Sequence, residues 1–141
     1  MRKADQKTLI DAALAARQRA VAPYSRFQVG AALLTKSGRI IGGANVESAS
    51  YGLTCCAERV ALFKALTEGE REFVAMAVVA RTPHGPRPCG ACRQLLAEYA
   101  RGARLWVADS DYPSKVKEFK VRDLLPNAFL DVPGVPVRRA D

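Results

Sequence analysis

No apolar run in this 141-residue chain approaches the ~20 residues that a membrane-spanning helix needs. The opening residues, Met1-Arg2-Lys3-Ala4-Asp5-Gln6-Lys7, are polar and then turn amphipathic, without the unbroken apolar core of a signal peptide. A cytoplasmic location is therefore expected. Histidine is nearly missing: His84 is the only one. It sits in Thr82-Pro83-His84-Gly85-Pro86-Arg87-Pro88, a rigid loop that should leave it exposed. Acidic residues are few, 14 against 22 Lys and Arg, for a net charge of +8. The bases are scattered, from Arg2 and Lys3 to Arg138 and Arg139, and no long basic run alternates with aromatic residues. A solvated basic surface with nonspecific attraction to polyanions is expected, not a specific nucleic-acid site. Internal repeats, linkers and low-complexity tracts are also missing. What remains is one domain, 49% hydrophobic, long enough to bury a core. Residues 1–4 and 131–141, the latter with Pro133, Gly134 and Pro136, are expected to be loose tails.

Four cysteines are present: Cys55, Cys56, Cys89 and Cys92. Without an export signal they should stay reduced, which favours metal ligation over disulfides. Cys89 and Cys92 are three apart, so on a helix or tight turn their sulfurs can face the same way. Cys56 can add a third thiolate from another element. Three thiolates suit Zn²⁺, one per chain, and leave a fourth tetrahedral position for water. Glu58, two residues after Cys56, can stand beside that water as a proton-shuttling carboxylate. Zinc held by three thiolates is net negative, and Arg59 is the side chain placed to offset that by hydrogen-bonding the ligand sulfurs. Other readings of these residues are a closed structural zinc site completed by Cys55 or His84, a nucleic-acid-binding zinc module, and a redox pair at Cys89 and Cys92. Adjacent Cys55 and Cys56 would diverge, so Cys55 is given a buried packing role.

Hydrophobic spacing gives a coarse fold. A helix is expected over about Asp5–Val21, followed by strands at Phe27–Leu34 and Ile40–Val46 joined as a hairpin. Gly42-Gly43 allows a bulge or a close backbone approach. A helix apolar nearly all round, and so central, should run from about Cys56 to Glu68, with Thr54 as its N-cap and Gly69 as its stop. Phe73–Ala80 reads as a buried strand. A further helix should start at Cys89 or Gly90, followed by strands at Leu105–Ala108 and near Val116–Val121. Cysteines at two helix N-termini would aim two positive helix ends at one metal. The order suggests one mixed sheet with helices on both faces. Asn45 and Glu47, two apart on one strand face, could hydrogen-bond sugar hydroxyls or a base edge, or simply stabilise a loop.

Taken together, Cys56-Ala57-Glu58-Arg59 and Pro88-Cys89-Gly90-Ala91-Cys92-Arg93-Gln94 resemble the signature of zinc nucleobase deaminases. With Pro23 to Leu33, Asn45-Val46-Glu47, Ala49-Ser50-Tyr51 and Leu124 to Phe129, the chain resembles the small homotetrameric cytidine deaminase family. That resemblance implies a single-domain three-layer α/β/α sandwich with a mixed, about five-stranded sheet. It implies hydrolytic removal of the C4 amine from cytidine and 2′-deoxycytidine in pyrimidine salvage, with ammonia released. It implies Cys56, Cys89 and Cys92 as zinc ligands, Glu58 as the catalytic acid–base, and Phe27, Asn45, Glu47, Tyr51 and Ala57 in substrate binding. It implies that Phe129 closes a neighbouring subunit's pocket. Two positions depart from the family pattern. Ser48 stands where Asn is usual, and Arg87, where Ser is usual, could touch the exposed end of the substrate. They leave room for a modified cytosine nucleoside such as blasticidin S. A nucleic-acid cytosine editor would need an insertion to build a strand groove, and the chain has none.

Overall fold

A computed structural model of the chain describes residues 3–137. Five strands form one sheet in the order β2-β1-β3-β4-β5. β1 (Val29–Thr35) pairs antiparallel with β2 (Ile40–Ala44) and with β3 (Phe73–Ala80). β3 runs parallel to β4 (Arg104–Asp109), and β5 (Lys117–Lys120) closes the edge antiparallel to β4. The parallel pair requires a crossover, which α3 (Gly90–Tyr99) supplies. Helix α1 (Lys3–Arg17) covers one face through Leu9, Ile10 and Ala13, which pack with Ala32, Ala77, Val79 and Trp106. Helix α2 (Ala57–Thr67) and α3 cover the other through Ala61, Leu62 and Leu96, against Ala31, Leu33, Met76 and Val107. The expected three-layer mixed sheet is thus what forms. The alternation within β1, with Ala31 and Leu33 to one side and Ala32 to the other, explains why both of its faces are apolar.

Glycines let the helices approach the sheet. A Cβ on Gly30 would lie 2.1 Å from the carbonyl of Ala13 in α1, and one on Gly43 would lie 2.5 Å from the amide of Ala61 in α2. Gly43 is therefore a site of close approach, and the regular register Ala32↔Gly42, Ala31↔Gly43 rules out a bulge there. Helix α2 ends on Gly69 at φ +95, where the Gly69 amide bonds Leu66 O and the Glu70 amide bonds Ala65 O, a Schellman closure.

Several boundaries differ from the sequence pattern. α1 begins at Lys3 and stops at Arg17, four residues short of Val21. Val21 instead pairs with Val46, through Val21 N–H to Asn45 O and Glu47 N–H to Val21 O, both 2.9 Å. Phe27 precedes β1 and is 42% exposed, not core. Thr54 does not cap α2: the cap position is Cys56, and the Thr54 hydroxyl accepts from the Ser48 amide at 3.1 Å. α2 is not enclosed on all sides, since Phe63 is 41% exposed among the described residues. Residues 131–137 add no helix or strand, and residues 1, 2 and 138–141 lie outside the described part.

Candidate metal centre and nucleoside site

Cys56 and Cys89 occupy the cap positions of α2 and α3, both extended, and neither side chain caps its helix. Their thiols are thus free to turn toward a common point. Cys92 lies in the first turn of α3, three residues after Cys89, on the same side of the helix. The sulfurs of Cys56 and Cys89 are 3.7 Å apart, and those of Cys89 and Cys92 are 3.6 Å apart. All three lie within 4.8 Å of one another. Three sulfurs each about 2.3 Å from one tetrahedral zinc would stand about 3.8 Å apart. A disulfide would bring two of them to about 2 Å. All four cysteines are free. The cluster fits one zinc per chain and not a redox pair.

The fourth ligand is not Cys55 or His84. Neither belongs to the metal-ligating group among the described residues. Cys55 is half-buried and uses its backbone to pair with Val46, at 2.9 and 3.0 Å. His84 is exposed on the loop after β3, where it lines a separate surface cavity with Tyr112 and Lys117. Arg87 donates to the carbonyls of His84 and Gly85 and lies 5.1 Å from the Phe119 ring centroid, so its guanidinium is held by its own loop and by β5.

Glu58 is 5% exposed in the first turn of α2. Burial pushes its carboxyl up to about 7, with the Cys56 charge adding to the rise. The Cys56 thiol is drawn down to about 5, first by its hydrogen bond with Cys92 and then by Arg59 and Cys89, against the cost of burial. The Cys92 thiol is raised, first by its hydrogen bond with Cys56 and then by burial. Arg59 Nη2 donates to Cys56 Sγ and to Thr54 O, both at 3.4 Å. Its Nε is buried without a partner, so the guanidinium sits beside the sulfurs despite an incomplete hydrogen-bond set.

A second group lies alongside. The antiparallel bridge between Val46 and Cys55 sets residues 45–47 against the approach to the metal ligands. Asn45 is 7% exposed and joins two points of one strand end: Nδ2 donates to Phe27 O at 2.8 Å, and Oδ1 accepts from Val29 N–H at 2.9 Å. Glu47 Oε1 accepts the amides of Tyr24 and Ser25, both at 3.0 Å, and Oε2 accepts the Ser25 hydroxyl. Phe27, Asn45 and Glu47 are thus one connected unit, and loop stabilisation is part of what Asn45 and Glu47 do. Ala57 is fully buried between Cys56 and Glu58. Tyr51, on a short 3-10 turn, is 80% exposed and shares a cavity of about 340 Å³ with Tyr24, Ser25, Glu47, Ser48 and Thr54. Phe129 is 66% exposed, and its carbonyl accepts from Gln94 Nε2 of α3 at 2.6 Å. Sequence reasoning missed the roles of Ser25 and Gln94: their partners are 22 and 35 residues away, and no spacing rule connects them.

Fold and site together define an α/β protein with a three-cysteine zinc centre next to a buried carboxyl. Residues 3–108 match the family described as "Cytidine and deoxycytidylate deaminase zinc-binding region". The chain is 55% identical over 125 residues to the cytidine deaminase of Halalkalibacterium halodurans, covering 89% of this chain and 94% of that protein. It is 46% identical over 125 residues to the cytidine deaminase of Sporosarcina psychrophila, covering 89% and 91%. The crystal structure of cytidine deaminase from Burkholderia pseudomallei superposes with a TM-score of 0.83 at 50% identity, over 86% of this chain and 97% of that one. The chain belongs to the cytidine and deoxycytidylate deaminase zinc-binding family.

Proposed function

We propose that the protein hydrolyses cytidine and 2′-deoxycytidine to uridine and 2′-deoxyuridine, releasing ammonia. The observation that carries this is the sulfur triangle of Cys56, Cys89 and Cys92 with Glu58 buried beside it. Cys56, Cys89 and Cys92 would hold the zinc, which when bound would supply a water molecule acidic enough to act as a nucleophile at neutral pH. Glu58 takes a proton from that water and hands one to ring N3, which makes C4 more electrophilic. After the water oxygen adds at C4, the same carboxyl delivers a proton to the exocyclic nitrogen, which leaves as ammonia. A carboxyl raised to about 7 by burial can both take and give a proton near neutrality. Helix N-termini at α2 and α3, with Arg59, offset the negative charge of the sulfurs.

Phe27 forms the aromatic wall beside the pyrimidine, and Asn45 and Glu47 hold the ribose. Each keeps capacity for this. A carboxylate has about four acceptor positions, and Glu47 fills three within the chain. Tyr51 and Ala57 complete the pocket. The assembly is a homotetramer in which Phe129 closes a neighbour's site. Support for it comes from the exposed Phe63, Tyr51, Leu53 and Phe129, all apolar groups that one chain leaves uncovered. The enzyme works in the cytoplasm in pyrimidine salvage; among the described residues no helix is long and apolar enough to cross a membrane.

The test follows loss of cytosine absorbance with cytidine, deoxycytidine, free cytosine and blasticidin S, with zinc counted per chain. Turnover of the two nucleosides with one zinc per chain is expected. Zinc should be lost in Cys56→Ser and kept in Cys55→Ser. Salt-sensitive binding to single-stranded nucleic acid with no ammonia released would overturn the reading.

A further inference from the structure

We propose that Ser25 is a positioning residue that fixes the Glu47 carboxylate and couples it to Phe27, so that sugar recognition depends on a hydroxyl that does not itself meet the sugar. This rests on the deaminase reading of the site. The Ser25 hydroxyl donates to Glu47 Oε2 and accepts the Phe27 amide at 3.0 Å. It therefore sits between the aromatic wall and the carboxylate. The amides of Tyr24 and Ser25 fill Glu47 Oε1. Together these three donors leave the carboxylate about one acceptor position, on Oε2. A carboxylate can only accept, so the ligand group it meets must be a donor, as a sugar hydroxyl is.

The same loop is held from its other end. Val21 exchanges backbone hydrogen bonds with Asn45 and Glu47, and Asn45 bridges Phe27 and Val29. Those contacts keep the loop in place when the Ser25 hydroxyl is removed. Loss of that hydroxyl frees Glu47 Oε2 and unties Phe27 N–H, without touching the sulfurs or Glu58. The three donors also hold the Glu47 carboxyl below its ordinary range, the Ser25 hydroxyl first among them. A free, more mobile carboxylate binds the sugar less well in the ground and transition states alike, so the loss falls on KM.

The experiment compares wild type, Ser25→Ala and Ser25→Thr on cytidine and on 2′,3′-dideoxycytidine, which lacks the sugar 2′- and 3′-hydroxyls. Ser25→Ala is expected to raise KM for cytidine about tenfold, the scale of one charge-assisted hydrogen bond, while kcat changes less than about twofold. KM for the dideoxynucleoside should hardly move, zinc content should stay at wild-type level, and Ser25→Thr should restore KM. A fall in kcat at constant KM, or equal losses on both nucleosides, would overturn the proposal and leave Ser25 a loop-stabilising residue. Wild-type protein that deaminates neither nucleoside would instead end the deaminase reading. The clamp is then judged by NMR titration of the Glu47 carboxyl: a rise in Ser25→Ala upholds it, and no change refutes it.

Discussion

Arg59 Nη2 stands 3.4 Å from the sulfur of Cys56, three residues back along the same helix start. Three thiolates on a divalent ion leave excess negative charge, which weakens the metal as an acid. A guanidinium donating to one ligand sulfur withdraws part of that charge, and partners of this kind commonly carry 10–100-fold in metal affinity or activity, roughly. Arg59→Ala should therefore lose zinc to a chelator faster and turn over about 10–100-fold more slowly. Arg59→Lys should recover only part, because a compact ammonium on a flexible stem is not held in the plane that brings the one Arg59 Nη2 to both Thr54 O and Cys56 Sγ. Wild-type zinc release and turnover in Arg59→Ala would reduce this contact to a helix-surface hydrogen bond.

Glu58→Gln should separate chemistry from metal binding. The amide has nearly the same shape, so the 5% exposed position is filled and α2 keeps its place. The three sulfurs are untouched, so the zinc count should stay at one. A glutamine can neither take nor give the protons the reaction moves, and turnover should fall by about 10²–10⁴-fold. Substantial activity in a zinc-replete Glu58→Gln protein would transfer the acid–base role to another group.

The ligand set was legible in the sequence because Cys89 and Cys92 are three apart and Cys56 precedes a helix. Both facts are local. The layer order was legible for the same reason, since Phe73–Ala80 and β1 are apolar on both faces and must be covered twice. What was not legible depends on pairings across the chain. Val21 leaves helical geometry because Val46 offers it a backbone partner, 25 residues on, which outweighs an apolar spacing that would continue α1. Glu47 was readable as a polar group on a strand end, but the three donors from Tyr24 and Ser25 that hold it were not. The open side of α2 at Phe63 misled for another reason: apolar composition alone does not report which faces of a helix its own chain covers.

Glu118 ties the edge strand to the sheet and should shape acid stability. Its carboxylate accepts from Trp106 Nε1 at 2.7 Å and from Arg104 Nη1 at 2.6 Å. The indole hydrogen bond first, then Arg104, holds it below its ordinary value of 4.5. The unfolded chain thus binds this proton more readily than the folded one. The contribution is complete above the ordinary value and disappears as pH falls through the depressed one. With the Arg104–Glu118 pair 43% exposed at both side chains, the effect is modest and weakened by salt. Glu118→Gln should melt lower than wild type at pH 7, and the gap should narrow when the pH is taken into acid, below the ordinary carboxylate range. A gap that is the same at both pH values would show that Glu118 acts by packing and not by charge.

Gly43 links the sheet to the zinc site. A Cβ there would lie 2.5 Å from Ala61 N and 2.8 Å from Ala57 O, both backbone atoms of α2. The helix must therefore rise off β2 to admit a methyl group. Ala57 lies between Cys56 and Glu58, so any lift moves the ligand and the proton carrier together, relative to Cys89 and Cys92 on α3. Gly43→Ala should cost about 1–3 kcal/mol in stability and weaken zinc retention at the same time. Gly42→Ala is the control: it faces α1, its Cβ would meet Ala16 Cβ at 3.4 Å and Ala31 O at 3.8 Å, both ordinary contacts, and no atom of α2. Melting curves and chelator competition on both variants test this directly. If Gly43→Ala loses stability but holds zinc as firmly as wild type, then the height of α2 over β2 does not set the metal geometry.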